Sequence, residues 1–192
     1  MTPQYHLLSG WICTPKVWGP LLTLLNLPSG SFRIWNWRET PRFSSDSIVI
    51  AHSLGVLRTL AVLQKDTVRK AVLISGCLRF PAPEQVLRSM KLLARKSPEK
   101  LRDDFSAAAF APEKVPSTDL FELPQEDAGS GLDYLRDADA TSFFGRIETP
   151  LTIFHGLNDR IIPFGNALPG SRPIEAGHML PYTQPELIVR TL

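Results

Sequence analysis

Residues 47–63, SIVIAHSLGVLRTLAVL, constrain the fold more than any other stretch of the chain. An apolar run over 48–51 leads without a spacer into His52-Ser53-Leu54-Gly55. A segment with Leu57, Leu60, Ala61 and Val62 near one helical face follows. A strand that turns this abruptly into a helix puts Ser53 on a very tight bend, its hydroxyl outward at the sheet edge. The small residues Ala51 and Gly55, two before and two after the serine, let such a bend pack without clashes. The start of the helix sets backbone N–H groups and a positive dipole end beside the hydroxyl, ready for a negative oxygen.

The rest of the chain continues this rhythm. Short apolar runs over 5–8, 32–37, 71–74, 151–154 and 173–175 read as further strands. Helical patterns over 15–25, 53–63 and 185–192 lie between or after them. Strands that are apolar throughout and alternate with helices indicate a mostly parallel sheet of about six strands, with helices on both faces. Residues 78–148 break the alternation, with helical patterns over 83–97, 98–111 and 132–140 and a Pro-rich, acidic loop over 112–127. The expected organisation is therefore a core of residues 1–77 and 149–192 with a helical lid insertion and return helix over 78–148.

Composition excludes several classes. The net charge of +2 is near balance, and the short basic stretch in the insertion comes with no nucleic-acid motif. No apolar run approaches the roughly 18–20 residues of a membrane helix. The first residues, MTPQYHLLSG, do not read as a secretory signal. Cys13 and Cys77 are far apart, which suits a reducing compartment and no metal cluster. The expected location is the cytoplasm.

Two further segments carry chemistry. In TIFHGLNDRIIP, residues 152–163, Asp159 follows the end of an apolar strand. In EAGHML, residues 175–180, a glycine precedes His178 in a short loop. A strand-end aspartate can also be a turn residue, a loop histidine a surface residue, and the serine bend an ordinary connection. Together they give serine, aspartate and histidine in that chain order, each after an expected strand. The 71–74 strand is followed by Ser75-Gly76-Cys77-Leu78, which holds no carboxylate. His6, His52 and His155 are read as packing or locally bonded residues, and Cys13 as a packing thiol.

On these residues the chain resembles the α/β-hydrolase superfamily across nearly its full length, with a minimal N-terminus. The resemblance departs in two places. Ala51 replaces the first glycine of the serine motif, and Ser9 replaces the histidine that often precedes Gly-Trp at the oxyanion turn, here Ser9-Gly10-Trp11. Within the superfamily the chain is most similar to the pimeloyl acyl-carrier-protein methyl ester esterases of biotin synthesis, which are small, lidded and carry Gly-Trp at that turn.

The resemblance implies a serine carboxylesterase. Ser53 would be the nucleophile, His178 the general base and Asp159 its orienting carboxylate, with the N–H groups of Trp11 and Leu54 as oxyanion hole. No metal or organic cofactor is required. The same residues would serve an acyl thioesterase and, less readily, an amidase or C–C hydrolase. A non-enzymatic ligand sensor or partner-binding scaffold could also retain them.

The insertion bears on substrate. Met90, Phe105 and Phe110, with Trp11, are expected to line an apolar pocket, and Val86, Leu87, Leu93 and Ala94 share a face with Met90. Arg88, Lys91 and Arg95 stand at i, i+3 and i+7, three positive charges on one helical face. That face is a solvated surface, a docking site for an acidic partner such as an acyl carrier protein, or a receiver for a free carboxylate or phosphate on a small substrate. The expected partners are thus a small acyl ester and, through this face, a carrier protein.

Overall fold

The computed structural model describes residues 3–123 and 128–192. Six strands, β1 (Tyr5–Leu8), β2 (Phe32–Trp35), β3 (Ile48–His52), β4 (Lys70–Ile74), β5 (Leu151–Gly156) and β6 (Arg172–Ile174), form one sheet in the order β2-β1-β3-β4-β5-β6. Every neighbouring pair is parallel. All strands therefore end at one edge, and the strand order reverses between β1 and β3, where open α/β sheets hold their ligands.

The apolar runs are buried because both faces are covered. On one face Leu8, Val49, Ala51, Leu73 and Ile153 pack with Val56, Leu60 and Leu63 of α2 (Leu54–Leu63). On the other, Leu7, Ile50, Val72 and Phe154 join Leu21 of α1 (Gly19–Leu25). Leu180 of α6 (Leu180–Thr183) and Ile188 of α7 (Pro185–Val189) complete that layer. Register sets Ala51 between Leu8 and Leu73. Both edge strands are short, four residues in β2 and three in β6. Arg33 of β2 lies over the Trp35 ring and β6 carries Pro173, features that discourage edge-to-edge pairing.

Gly55 is dictated by this packing. A Cβ there would lie 2.5 Å from the Leu8 carbonyl oxygen, against the rigid backbone of β1. Alanine is favoured over glycine in a helix by about 1 kcal/mol. We expect the clash to outweigh that preference, so that Gly55→Ala destabilises by roughly 1–3 kcal/mol in urea unfolding. An unchanged midpoint would show that α2 is not held as tightly to β1 as the packing implies.

Several sequence expectations are corrected in detail. The helix expected over 15–25 is a 3₁₀ turn, Pro15–Trp18, followed by α1, because Gly19-Pro20 restarts the helix; α1 stops at Asn26 in the left-handed region. The strand expected over 32–37 ends at Trp35, where Asn36 and Glu39 side chains capture the N–H groups of Arg38 and Asn36. The helix expected over 185–192 ends at Val189, and a short helix, α6, precedes it, each starting with proline in its first turn.

Between β4 and β5 run α3 (Glu84–Lys96), α4 (Pro98–Phe110) and α5 (Ala128–Asp137). Ser97 separates α3 from α4, with Pro98 opening the second. The helix expected over 132–140 starts at Ala128 and ends at Asp137; it ends early because the Ala140 N–H donates to the Leu78 carbonyl at 2.8 Å and closes the base of the excursion. The loop expected over 112–127 is described to residue 123. The rest of that expectation, and residues 1–2 of the N-terminal reading, lie outside the described residues. The described part is not structureless. Phe121 bridges Cys13 in antiparallel sense, with Thr14 N–H donating to Leu120 O at 2.9 Å and Glu122 N–H to Ile12 O at 2.8 Å. The excursion is thereby tied to the loop after β1.

Candidate active site

Ser53 stands on the bend between β3 and α2 with φ 56° and ψ −120°, a conformation few non-glycine residues adopt. Among the described residues, non-glycine positive φ values occur at Ile12, Asn26, Ser53 and Ser75. Three of these follow the C-terminal ends of adjacent strands β1, β3 and β4. Backbone strain is thus gathered at one end of the sheet, as at sites where the surrounding fold enforces a functional geometry.

The loop after β1 lies directly against this bend. A Cβ on Gly10 would sit 3.0 Å from Ser53 Cβ and 3.1 Å from His52 Nδ1. The Ser9 hydroxyl accepts a hydrogen bond from Trp18 Nε1 at 2.9 Å, so the residue that replaces the expected histidine anchors the loop. Leu54 is the first residue of α2, and its N–H precedes any carbonyl of the helix. The Trp11 ring is buried edge-on to Phe105 at 5.3 Å and packs against Gly131, where a Cβ would come within 2.4 Å of its Cδ1.

His178 and Asp159 are brought together. The imidazole donates from Nδ1 to Asp159 Oδ2 at 2.7 Å, with both side chains buried. Asp159 Oδ1 accepts the N–H groups of Ile161 and Ile162, each at 2.8 Å. His155 Nε2 donates to Ile162 O at 2.7 Å and lies 3.3 Å from Asp159 Oδ2. Burial opposes ionisation of Asp159, but the electrostatic influence and hydrogen bond of His178, with the bonds from His155 and the Ile162 N–H, outweigh it and hold the carboxyl well below the usual range. An ionised Asp159 fixes the proton on His178 Nδ1 and leaves Nε2 as a bare acceptor. Nε2 is buried without a hydrogen-bond partner, so a Ser53–His178 bond is the one link of the expected constellation that is not made. Ser53 itself is only 8% exposed.

Two residues that the sequence did not mark for the site also meet His178. Its carbonyl accepts from His52 Nε2 at 3.1 Å and from the Ser75 hydroxyl at 2.9 Å. Its N–H donates to Ala109 O, at the end of α4, at 3.1 Å. A Cβ on the preceding Gly177 would fall 2.0 Å from Ala111 O, so the histidine loop is pressed onto α4. The available signal was positional: Ser75 follows β4 as Ser53 follows β3. Burial pushes the thiols of Cys13 and Cys77 up to about 12, which keeps both protonated.

The residues expected to form the pocket divide. Phe105 meets Trp11, while Phe110 is wedged between Phe121 and Tyr182 at ring distances of 6.0 and 5.6 Å. Met90, Leu87, Leu93 and Ala94 pack into the same cluster. Val86, expected on that face, is instead 45% exposed, because α3 turns it away from α4 and α5. The row of three positive charges is reduced within the chain. Arg88 pairs with Glu84 at 2.6 Å, Lys91 pairs with Asp133 of α5, and Arg95 is exposed. A surface cleft of about 510 Å³ opens beside the Cys13–Phe121 bridge, lined by Thr14, Pro15, Lys16, Asp119, Phe121 and Glu122. Among the described residues no group of three His, Cys, Asp or Glu side chains is placed to hold a metal ion, and no helix is long and apolar enough to cross a membrane.

Neither a family model nor a curated protein matches the chain. Solved structures do. An esterase from Exiguobacterium antarcticum superposes with a TM-score of 0.79 at 16% identity, over 99% of this chain and 90% of that one. An enol-lactonase from Burkholderia xenovorans gives 0.79 at 16%, over 100% and 90%. A bromoperoxidase from Bacillus anthracis gives 0.76 at 14%, over 100% and 90%. With its six-stranded parallel sheet, helices on both faces and near-complete superposition on these proteins, the chain has the α/β-hydrolase fold.

Proposed function

We propose that the protein is a serine hydrolase that cleaves carboxylic esters. The observation that carries this reading is the buried 2.7 Å hydrogen bond from His178 to Asp159, in a fold that also holds Ser53 strained at a helix start. Ser53 Oγ attacks the ester carbonyl while His178 Nε2 takes its proton and then passes it to the leaving alcohol. Asp159 holds the tautomer and stabilises the imidazolium. The N–H groups of Leu54 and Trp11 receive the oxyanion, each contributing roughly 2.7–4 kcal/mol to the transition state. Water then releases the acyl group by the reverse proton transfers. Residues 78–148 act as a lid over this site.

Structural likeness to proteins described as esterases and as an enol-lactonase supports ester chemistry. The aromatic cluster of Trp11, Phe105, Phe110 and Phe121, which includes the residue after Gly10, supports an apolar acyl chain over a polar one. The finer reading, from the resemblance in sequence, is a pimeloyl methyl ester carried on an acyl carrier protein that docks at Arg88, Lys91 and Arg95, in the cytoplasm.

The test is hydrolysis of p-nitrophenyl esters from C2 to C12, beside the matching acyl thioesters and a carrier-bound pimeloyl methyl ester. Turnover with a mid-chain optimum is the expected result. A preference for the thioesters would replace the esterase reading by a thioesterase. Absence of turnover on every substrate would overturn the enzymatic reading in favour of a ligand sensor.

A further inference from the structure

We propose that His52 and Ser75 are positioning residues that hold the candidate base His178 by its main-chain carbonyl, locking nucleophile and base into one frame. This rests on the reading of Ser53 and His178 as nucleophile and base.

The hydrogen bonding is complete on the side that matters. The His178 carbonyl has two lone pairs, and His52 and Ser75 fill both, at 3.1 and 2.9 Å. The two donors leave the ends of adjacent strands β3 and β4. His52 is the residue before Ser53, and the Ser53 N–H donates to the carbonyl of Ile74, the residue before Ser75, at 3.0 Å. Any shift of the serine bend is therefore carried to both donors and on to the histidine. His178 needs such support, since β6 spans only three residues and a glycine precedes the histidine.

Two features that cost stability find their reason here. To donate from Nε2 to a carbonyl, neutral His52 must leave Nδ1 without a proton, and that atom is buried without a partner. A phenyl ring would fill the same space without a stranded acceptor. Ser75 holds φ 50°, a conformation glycine adopts at less cost, yet it carries a buried hydroxyl. Packing accounts for neither choice, whereas donation to His178 O accounts for both. Burial, followed by the influence of His178, pushes His52 down to about 3, so it keeps this neutral form throughout the neutral pH range. Asp159 and His155 also face it, with opposite signs.

The experiment compares His52→Phe, His52→Gln and Ser75→Ala with the wild type, by ester kinetics and by the downfield NMR resonance of the His178 Nδ1 proton. His52→Phe should lower kcat roughly ten- to hundredfold, the scale expected for a misplaced catalytic group, with KM nearly unchanged. His52→Gln, which can still donate, should recover most of that loss, and Ser75→Ala should show a smaller fall. The resonance should broaden in the Phe and Ala variants and persist in the Gln variant. Wild-type kcat in both donor-deleted variants would overturn the proposal. So would a lower kcat with an unchanged resonance, since the base would then be held as before. If His52→Phe does not fold, Ser75→Ala decides by the same readouts. If the wild type hydrolyses no ester, the functional reading fails while the resonance still decides whether the two donors hold His178.

Discussion

Replacing Ser53 by alanine is expected to lower kcat for ester hydrolysis by about 10⁴- to 10⁶-fold, while the melting temperature stays close to that of the wild type. The size of the effect follows from what is lost. Without Oγ there is no covalent intermediate, and His178 has no proton to move. What remains is binding and oxyanion stabilisation, typically worth about 10³- to 10⁴-fold over water. The fold should not notice, because alanine suits a buried helix start and φ 56° is about equally strained for either residue. Steady-state kinetics with thermal unfolding of the same preparations would check both halves. Residual activity above about 1% in a folded variant would place the nucleophile elsewhere.

The second large effect is expected at Asp159, where the charge is replaced but the shape kept. Asp159→Asn should lower kcat by about 10⁴-fold through the tautomer of His178. The wild-type carboxylate accepts on both oxygens: Oδ1 from Ile161 and Ile162, Oδ2 from His178, with His155 close by. Asparagine has one acceptor and one donor. If its oxygen keeps the two backbone N–H groups, its NH₂ faces His178 Nδ1 and forces that nitrogen to become an acceptor. The imidazole proton then moves to Nε2, which can no longer take a proton from serine. If the amide flips, two backbone donors face an NH₂ group instead. The flipped arrangement leaves buried groups mismatched, at roughly 1–3 kcal/mol of stability by urea unfolding, whereas the first keeps the pairing and loses only the productive tautomer. A variant with near-native kcat would remove Asp159 from the mechanism.

How far the fold could be read depended on the range over which each feature is encoded. β3 and β4 are buried on both faces, so their apolar runs are continuous and unmistakable. The positions of Ser53, Asp159 and His178 could be read because they lie at or within four residues of the ends of β3, β5 and β6. What stayed hidden is encoded between distant segments. The pairing of Phe121 with Cys13 needs no local periodicity, because it consists of one bridge and two hydrogen bonds. The ion pair of Lys91 with Asp133 could not be inferred from a helical wheel, which shows only that Lys91 shares a face with Arg88 and Arg95. The donors at His52 and Ser75 act on a main-chain carbonyl, an acceptor that every residue carries and no side-chain pattern marks. Helix ends moved where proline, asparagine or a tertiary hydrogen bond overrode propensity.

The hydrogen bond from Ala140 to Leu78 has a consequence for how this chain can diversify. Because the excursion between β4 and β5 returns to the point where it left, the sheet is indifferent to its contour length. Doubling a closed loop costs only about 0.6 kcal/mol of chain entropy, so additions to its outer turns are cheap. Its inner end is not free in the same way, because the Ala109 carbonyl receives the N–H of His178. The length and surface of the excursion can therefore vary without disturbing the sheet, provided the last turn of α4 is inherited unchanged.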